Sequence, residues 1–153
     1  MSELWFYHLE RTSLDQVLPG LLTKTLERGW RARVEVGSKE RAEALSAQLW
    51  TFRDDAFLPH GTLTDGHAEA QPILLAEDGP DYNKADVLFV VDAASLPLAA
   101  ERLSRFTRTM IIFDGNDSTA LEQARAQWRT AKAADISVSY WQQSAEGRWE
   151  KKG

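Results

Sequence analysis

Four apolar runs limit what this chain can fold into: LWFYHL (Leu4 to Leu9), PILLA (Pro72 to Ala76), VLFVVD (Val87 to Asp92) and MIIF (Met110 to Phe113). Each is far too short to span a membrane, and each lacks the polar alternation of a strand with one wet face, so all four read as strands buried on both sides. Such strands need helices to cover them, and helical spacing lies between the runs. Ser13 and Gln16 have capping-box spacing ahead of Leu14, Val17, Leu18, Leu21, Leu22, Thr25 and Leu26, and Gly29 ends that helix. Pro19 and Gly20 lie inside the pattern, so the helix either starts later or bends there. Arg33 to Gly37 alternates as a strand, and Ser38 caps a helix from Lys39 to Trp50 with Ala42, Leu45 and Leu49 inward. Leu98 to Thr107 can form a helix with Leu103 and Phe106 inward. Ser118 to Asp135 is another helix, and Ile136 to Trp141 with Arg148 to Lys151 forms a closing hairpin that turns at Ala145 to Gly147. Alternating strands and helices predict an α/β fold, doubly wound, with a mostly parallel sheet and helices on both faces.

With 153 residues, 43% of them hydrophobic, the chain reads as one domain over residues 1–153 that buries about two thirds of its unfolded surface. No apolar run approaches the roughly 20 residues of a membrane span, and the first residues lack a signal peptide's basic start and long apolar core. The absence of cysteine rules out disulfides and thiolate chemistry and suits a cytoplasmic protein. A net charge of −5 argues against broad gripping of duplex DNA, which depends on neutralising phosphates, so any nucleic-acid contact must be local.

Against that acidic background the helix from Ser118 to Asp135 stands out. Ala120, Ala124, Gln127 and Ala131 share one side, where small side chains let the helix lie close on a sheet. Leu121, Arg125, Trp128, Arg129 and Lys132 share the other. Three cations there span roughly 10 Å, and Glu122 is the sole acid within the helix. Such a face is either a solvated surface row, favoured near a helix C-terminus by the helix dipole, or a site for a short ligand carrying carboxylates beside an apolar group. A second cluster follows Trp50 in the segment TFRDDAFLPHG, where Phe52, Phe57, Leu58 and Pro59 crowd together. They either staple a loop to the domain or form a protein interface.

Enzyme signatures fail when tested. Gly20 to Thr25 (GLLTKT) has the Lys-Thr ending of a phosphate loop but not its glycines, and there is no GxGxxG or GxSxG. Asp92 at a strand end resembles a Mg²⁺-binding carboxylate but is equally a turn residue. His67, Ala68 and Glu69 match the H-x-E of zinc deaminases, whose thiolate ligands are missing, and His8, His60 and His67 show no metal-binding spacing. No metal, cofactor or catalytic residue is therefore expected, and a binding module is favoured.

Taken together, WFYHL, ERGWRARV, AFLPHG, QPILLAED, ADVLFVVD, MIIFDG, ARAQWR and YWQQSAEGRWEKK resemble, in order and spacing, the chi subunit family of the bacterial DNA polymerase III holoenzyme. The resemblance implies a Rossmann-like fold without a nucleotide site. It also implies a non-catalytic adaptor in the clamp-loader assembly. One surface is then expected to bind the acidic, phenylalanine-ended C-terminal tail of single-stranded DNA-binding protein, at Arg125, Trp128, Arg129 and Lys132. Trp50, Phe57 and Pro59 match the positions that contact the psi subunit or another clamp-loader subunit. The alternatives are a helicase-like or nucleotide-dependent protein using the sheet edge near Asp92 and Asp114, and a protein that binds single-stranded DNA directly through the Arg and Trp face.

Overall fold

The computed structural model describes residues 2–10, 12–51, 59–77, 83–92, 98–143 and 148–152. All four apolar runs become strands. In chain order the elements are β1 (Glu3–Leu9), α1 (Leu14–Glu27), β2 (Ala32–Glu35), α2 (Lys39–Thr51), β3 (Gly61–Thr62), β4 (Ile73–Ala76), β5 (Val87–Val91), α3 (Ala100–Leu103), β6 (Arg108–Asp114), α4 (Ser118–Ala133), β7 (Ser137–Gln143) and β8 (Trp149–Lys151). The strands form one sheet in the order β3-β4-β2-β5-β6-β1-β7-β8. Every neighbouring pair is parallel except β7 and β8, which close the edge antiparallel. The fold is thus the expected α/β arrangement, Rossmann-like, with helices on both faces of a mostly parallel sheet.

Strand β5 is buried along its whole length, as a continuous apolar run requires. On one face Leu18 and Leu22 of α1 and Ala42, Leu45 and Leu49 of α2 pack on Val34, Leu75 and Phe89. On the other, Leu103, Phe106 and the alanines Ala120, Ala124 and Ala131 of α4 cover Phe6, Leu88 and Ile111. Helix α1 runs unbroken through Pro19, which settles the question left open by the sequence. A helix-interior proline costs about 3 kcal/mol, whereas burying Leu18 and Leu22 contributes roughly 1.5–3 kcal/mol each. The carbonyl that Pro19 leaves unpaired belongs to Asp15, an exposed residue that water can serve. The capping residues act as expected: the Ser13 amide donates to Gln16 Oε1 at 2.9 Å, the Arg41 amide to Ser38 Oγ at 3.1 Å, and Gly29 adopts φ +77° beyond α1.

Two elements differ from the expectation. The helix from Leu98 to Thr107 is a single turn, α3. Past it the Arg105 amide bonds Arg102 and the Phe106 amide bonds Leu103, both three residues back, and the Thr107 amide leaves for the Asp86 carbonyl just before β5. Leu103 and Phe106 are buried all the same. The polar segment from Thr62 to Ala70 contributes the edge strand β3 and two short 3-10 turns at Leu63–Asp65 and Ala68–Ala70. The turn expected at Ala145 to Gly147 lies outside the described residues, while the strands it joins are paired as a hairpin.

The alternation in RVEVG has another meaning than a wet face. All of β2 is buried, Arg33 and Glu35 included, both with no exposed surface. Glu35 Oε1 accepts from Arg33 Nε at 3.1 Å, and the Glu35 carboxylate takes a two-pronged bond from Arg102 of α3, each contact 2.5 Å. Arg33 also donates to the Glu77 carbonyl at 2.9 Å. Buried charges persist where each finds such partners.

Candidate functional site

Helix α4 starts where the Asp117 carboxylate accepts the Thr119 and Ala120 amides at 3.0 and 3.3 Å, an N-cap that fixes the helix's rotation about its axis. The face expected to dock does so: Ala120, Ala124, Gln127 and Ala131 are buried. Gln127 does more than fill space. Its side-chain amide donates to Leu98 O at 3.1 Å and its carbonyl accepts the Leu98 amide, so a single side chain latches α4 to the segment entering α3.

That docking turns Arg125, Arg129 and Lys132 outward, all exposed, with Trp128 half-buried between them. Among the described residues none of the three cations has an ion-pair partner. Arg125, Trp128 and Arg129 line a cavity of about 360 Å³ whose other walls are Tyr140 of β7 and Lys152 beyond β8. The Lys152 amide donates to Tyr140 O at 2.6 Å, which holds the lysine beside the pocket. Lys132 lies above, its Nζ 5.3 Å from the Trp128 ring centre. The four expected residues therefore share one surface. Tyr140 and Lys152 complete it and were not picked out in the sequence, because no helical spacing ties a strand residue to a helix packed across it.

Aromatic contacts set the floor of the pocket. Trp128 packs on Phe6 at 5.6 Å and edge-on to Tyr140 at 5.9 Å, and Tyr140 stacks on Phe6 at 6.0 Å. Tyr140 is further fixed by His8, whose Nδ1 lies 2.6 Å from the phenol oxygen, while His8 Nε2 is 3.1 Å from Glu10 Oε1. Because the carboxylate can only accept, the neutral imidazole donates from Nε2 and accepts the Tyr140 hydroxyl proton at Nδ1. Burial, aided by Arg125, holds His8 below the usual imidazole range despite Glu10 and Asp114, and burial pushes the Tyr140 hydroxyl up. A Cβ at Gly115 would overlap the His8 ring, so a larger residue there has to displace His8 from Tyr140 and Glu10.

A larger cavity, about 690 Å³, opens at the carboxyl edge of the sheet. It sits where neighbouring strands β1 and β6 send their helices to opposite faces, the place where doubly wound sheets hold ligands. The structure does bring Asp92 and Asp114 together on it, with Glu10 and Asp117. However, Asp92 is paired with Arg41 at 2.6 Å, Asp114 accepts the Asn116 amide and Asp117 caps α4. Four carboxylates facing a crevice whose flanking helix ends are capped by their own side chains repel a phosphate.

The second expected cluster is only partly described. Trp50 lies in the last turn of α2, Pro59 is half-buried, and Phe57 lies outside the described residues, as do Phe52 and Leu58. Next to Pro59, the buried His60 donates from Nε2 to the Ser46 carbonyl of α2 at 3.1 Å. Since α2 packs on β3 and β4 and α4 on β6 and β7, the end of α2 that carries Trp50 lies toward the other end of the sheet from the α4 pocket.

Comparisons with known proteins agree with this architecture. The C-terminal domain of the DEAD-box protein Dbp5 is similar with a TM-score of 0.57 over 93% of this chain and 90% of that one; at 17% identity the likeness is one of fold alone. A protein of Rickettsia prowazekii (strain Madrid E) described as "Probable DNA polymerase III subunit chi" is 26% identical over 117 residues, 74% of this chain and 71% of that protein. The family model "DNA polymerase III chi subunit, HolC" matches residues 1–139, from the start of the sheet through α4 and into β7. Strands β1 to β6 and all four helices, the basic α4 included, fall within that match, while Tyr140, most of β7 and β8 lie beyond it, and the chain belongs to the DNA polymerase III chi subunit family.

Proposed function

We propose that this chain is a non-catalytic adaptor that binds the acidic, phenylalanine-ended tail of single-stranded DNA-binding protein in the α4 pocket and so tethers the polymerase holoenzyme to coated single strands. Family membership supports an accessory role in DNA replication. The observation that carries the tail-binding reading is the pocket itself, two aromatic rings ringed by Arg125, Arg129 and Lys152. A terminal phenyl ring fits edge-on against Trp128 and Tyr140, while the guanidinium groups take the terminal carboxylate and the acids before it as charge-assisted bonds. Each such contact is weak and screened by salt. Many tails on one coated strand raise the effective concentration and make weak binding useful. The test is titration of a labelled tail peptide with the whole protein at low and moderate salt. Salt-sensitive binding is expected, and no binding by the folded protein removes the pocket's role.

His8 gives this binding a pH dependence. Its depressed pKa means that the neutral imidazole's contribution to stability is complete above the unfolded value near 6.5 and is lost as pH falls through the folded value. Protonation at Nδ1 turns that atom into a donor, which frees the Tyr140 hydroxyl proton for a ligand carboxylate and adds a positive charge beside the pocket. Tail affinity is therefore expected to rise a few-fold only as pH falls below about 6.5 and through the depressed folded value of His8. His8→Gln should flatten the profile; an unchanged profile in that variant detaches His8 from the site.

We assign Trp50, Phe57 and Pro59 to contact with the psi subunit or another clamp-loader subunit. Two docking surfaces suit a linker, and we place it in the cytoplasm with its replisome partners. A nucleotide-binding reading draws on the 690 Å³ crevice alone. ATP binding by the pure protein that disappears in Asp92→Asn supports that reading; the acidic lining leads us to expect none.

A further inference from the structure

The face of the sheet opposite α4 carries a second surface. Beyond α1 no described helix covers β1, β7 and β8 there, and strand alternation places Trp5 and Tyr7 of β1, Trp141 of β7 and Trp149 of β8 on that side. They border an open groove of about 470 Å³ between α1 and β8. The three indoles are half-buried, each with part of its surface open. Trp141 lies nearly parallel to Tyr7, at 13° and 6.4 Å, and 5.6 Å from Trp5, while Trp149 meets Tyr7 edge-on at 4.9 Å. Lys24 of α1 and Arg28, which caps its C-terminus, are exposed along the rim, and Arg108 lies 3.9 Å over the Trp5 ring. Lys151 sits directly across from Trp141 on the same face.

Charge decides what such a groove can hold. Among its described lining residues there is no carboxylate, in a chain whose net charge is −5 and whose other large cavity is lined by four. Among the described residues Lys24 and Arg28 have no ion-pair partner, whereas Arg108 is bound to Glu3 at 3.2 Å. The occupant is therefore anionic, and it must also present flat apolar faces to a row of aromatic rings on a sheet. A single-stranded nucleic acid does both: bases stack on exposed aromatic rings while phosphates follow the cations. An acidic peptide supplies the charge but not a flat ring at each step, and a duplex has its bases stacked away. We propose that the groove formed by Trp5, Trp141 and Trp149, with Lys24 and Arg28 on its rim, is a binding surface for single-stranded DNA, separate from the α4 pocket. The acidic background keeps this contact local, a few nucleotides beside the strand to which the adaptor is already tethered.

The experiment is a titration of the whole protein into a labelled oligothymidylate across a range of salt, with quenching of intrinsic tryptophan fluorescence read in parallel. Wild type should bind at low salt and be quenched. The double reversal Lys24→Glu and Arg28→Glu, at two exposed positions, should weaken binding at least about tenfold and flatten the slope of log K against log salt by about 1.4, the value for two phosphate contacts on a single strand. Trp149→Ala should weaken it about tenfold through a lost stacking partner. Arg129→Glu should bind the oligonucleotide as wild type does, which keeps this surface distinct from the tail pocket. No binding by wild type overturns the proposal, as does binding lost in Arg129→Glu but kept in the double reversal. Displacement of the oligonucleotide by oligoglutamate of equal charge also overturns it, in favour of a peptide occupant.

Discussion

Arg129→Glu is expected to weaken binding of the acidic tail by one to two orders of magnitude while leaving the protein folded. The arginine is exposed on α4 and makes no ion pair among the described residues, so its loss removes nothing from the core. A hydrogen bond to a charged group is worth about 1.5–3 kcal/mol, and reversal replaces that attraction with repulsion of the same carboxylates. Fluorescence anisotropy of the labelled peptide reads the affinity, and circular dichroism confirms the fold. The difference between wild type and variant should shrink as salt is raised, because screening weakens both terms. A variant that binds as tightly as wild type at low salt takes Arg129 out of the site.

The second large effect concerns stability. Glu35→Ala should cost about 3–5 kcal/mol, the usual consequence of removing one partner of a buried ion pair. Arg33, with no exposed surface, then loses the Glu35 carboxylate at its Nε, while Arg102, which reaches solvent, can turn away. Against total stabilities of about 5–15 kcal/mol, that brings the chain near its unfolding threshold. The double change Glu35→Leu with Arg33→Met should be milder than Glu35→Ala, because it removes both charges and refills the volume. Urea denaturation of the three proteins measures this directly. A loss below about 1 kcal/mol for Glu35→Ala means that water or a rearranged neighbour satisfies Arg33, and that the ion pair is not structural.

The same residues show where sequence reading stops. The runs at β4, β5 and β6 could be recognised because strands covered on both faces admit almost no polar residue, and that signal is local. The run at β1 is a strand too, but Trp5 and His8 are only half-buried, so it is not covered on both faces as its apolar run suggests. The small-residue face of α4 was legible for a similar reason, since helical spacing alone puts Ala120, Ala124, Gln127 and Ala131 on one side. In β2, alternating charge mimics a wet face. Only the arrival of Arg102 from α3, 67 residues further on, turns Glu35 into a buried partner. Tyr140 and Lys152 escaped because their place in the pocket depends on how a strand registers under a helix. The edge strand β3, two residues long, has no period to detect. The shortened α3 follows from competition for amides between a helix turn and the sheet, which local propensity does not contain.

Strand β8 has three residues and only β7 for a neighbour, yet it carries Trp149 toward the groove on one face and leads to Lys152 in the pocket on the other. A short edge strand is among the least stable parts of a sheet and opens well below the global unfolding free energy. Whichever ligand arrives first stills it, and the second then finds that loss of entropy already met. Tail and single strand should therefore favour each other's binding by one common factor, since linkage requires the coupling to be reciprocal. Measuring peptide affinity with and without saturating oligothymidylate reads that factor, and a value of one means that β8 is already rigid.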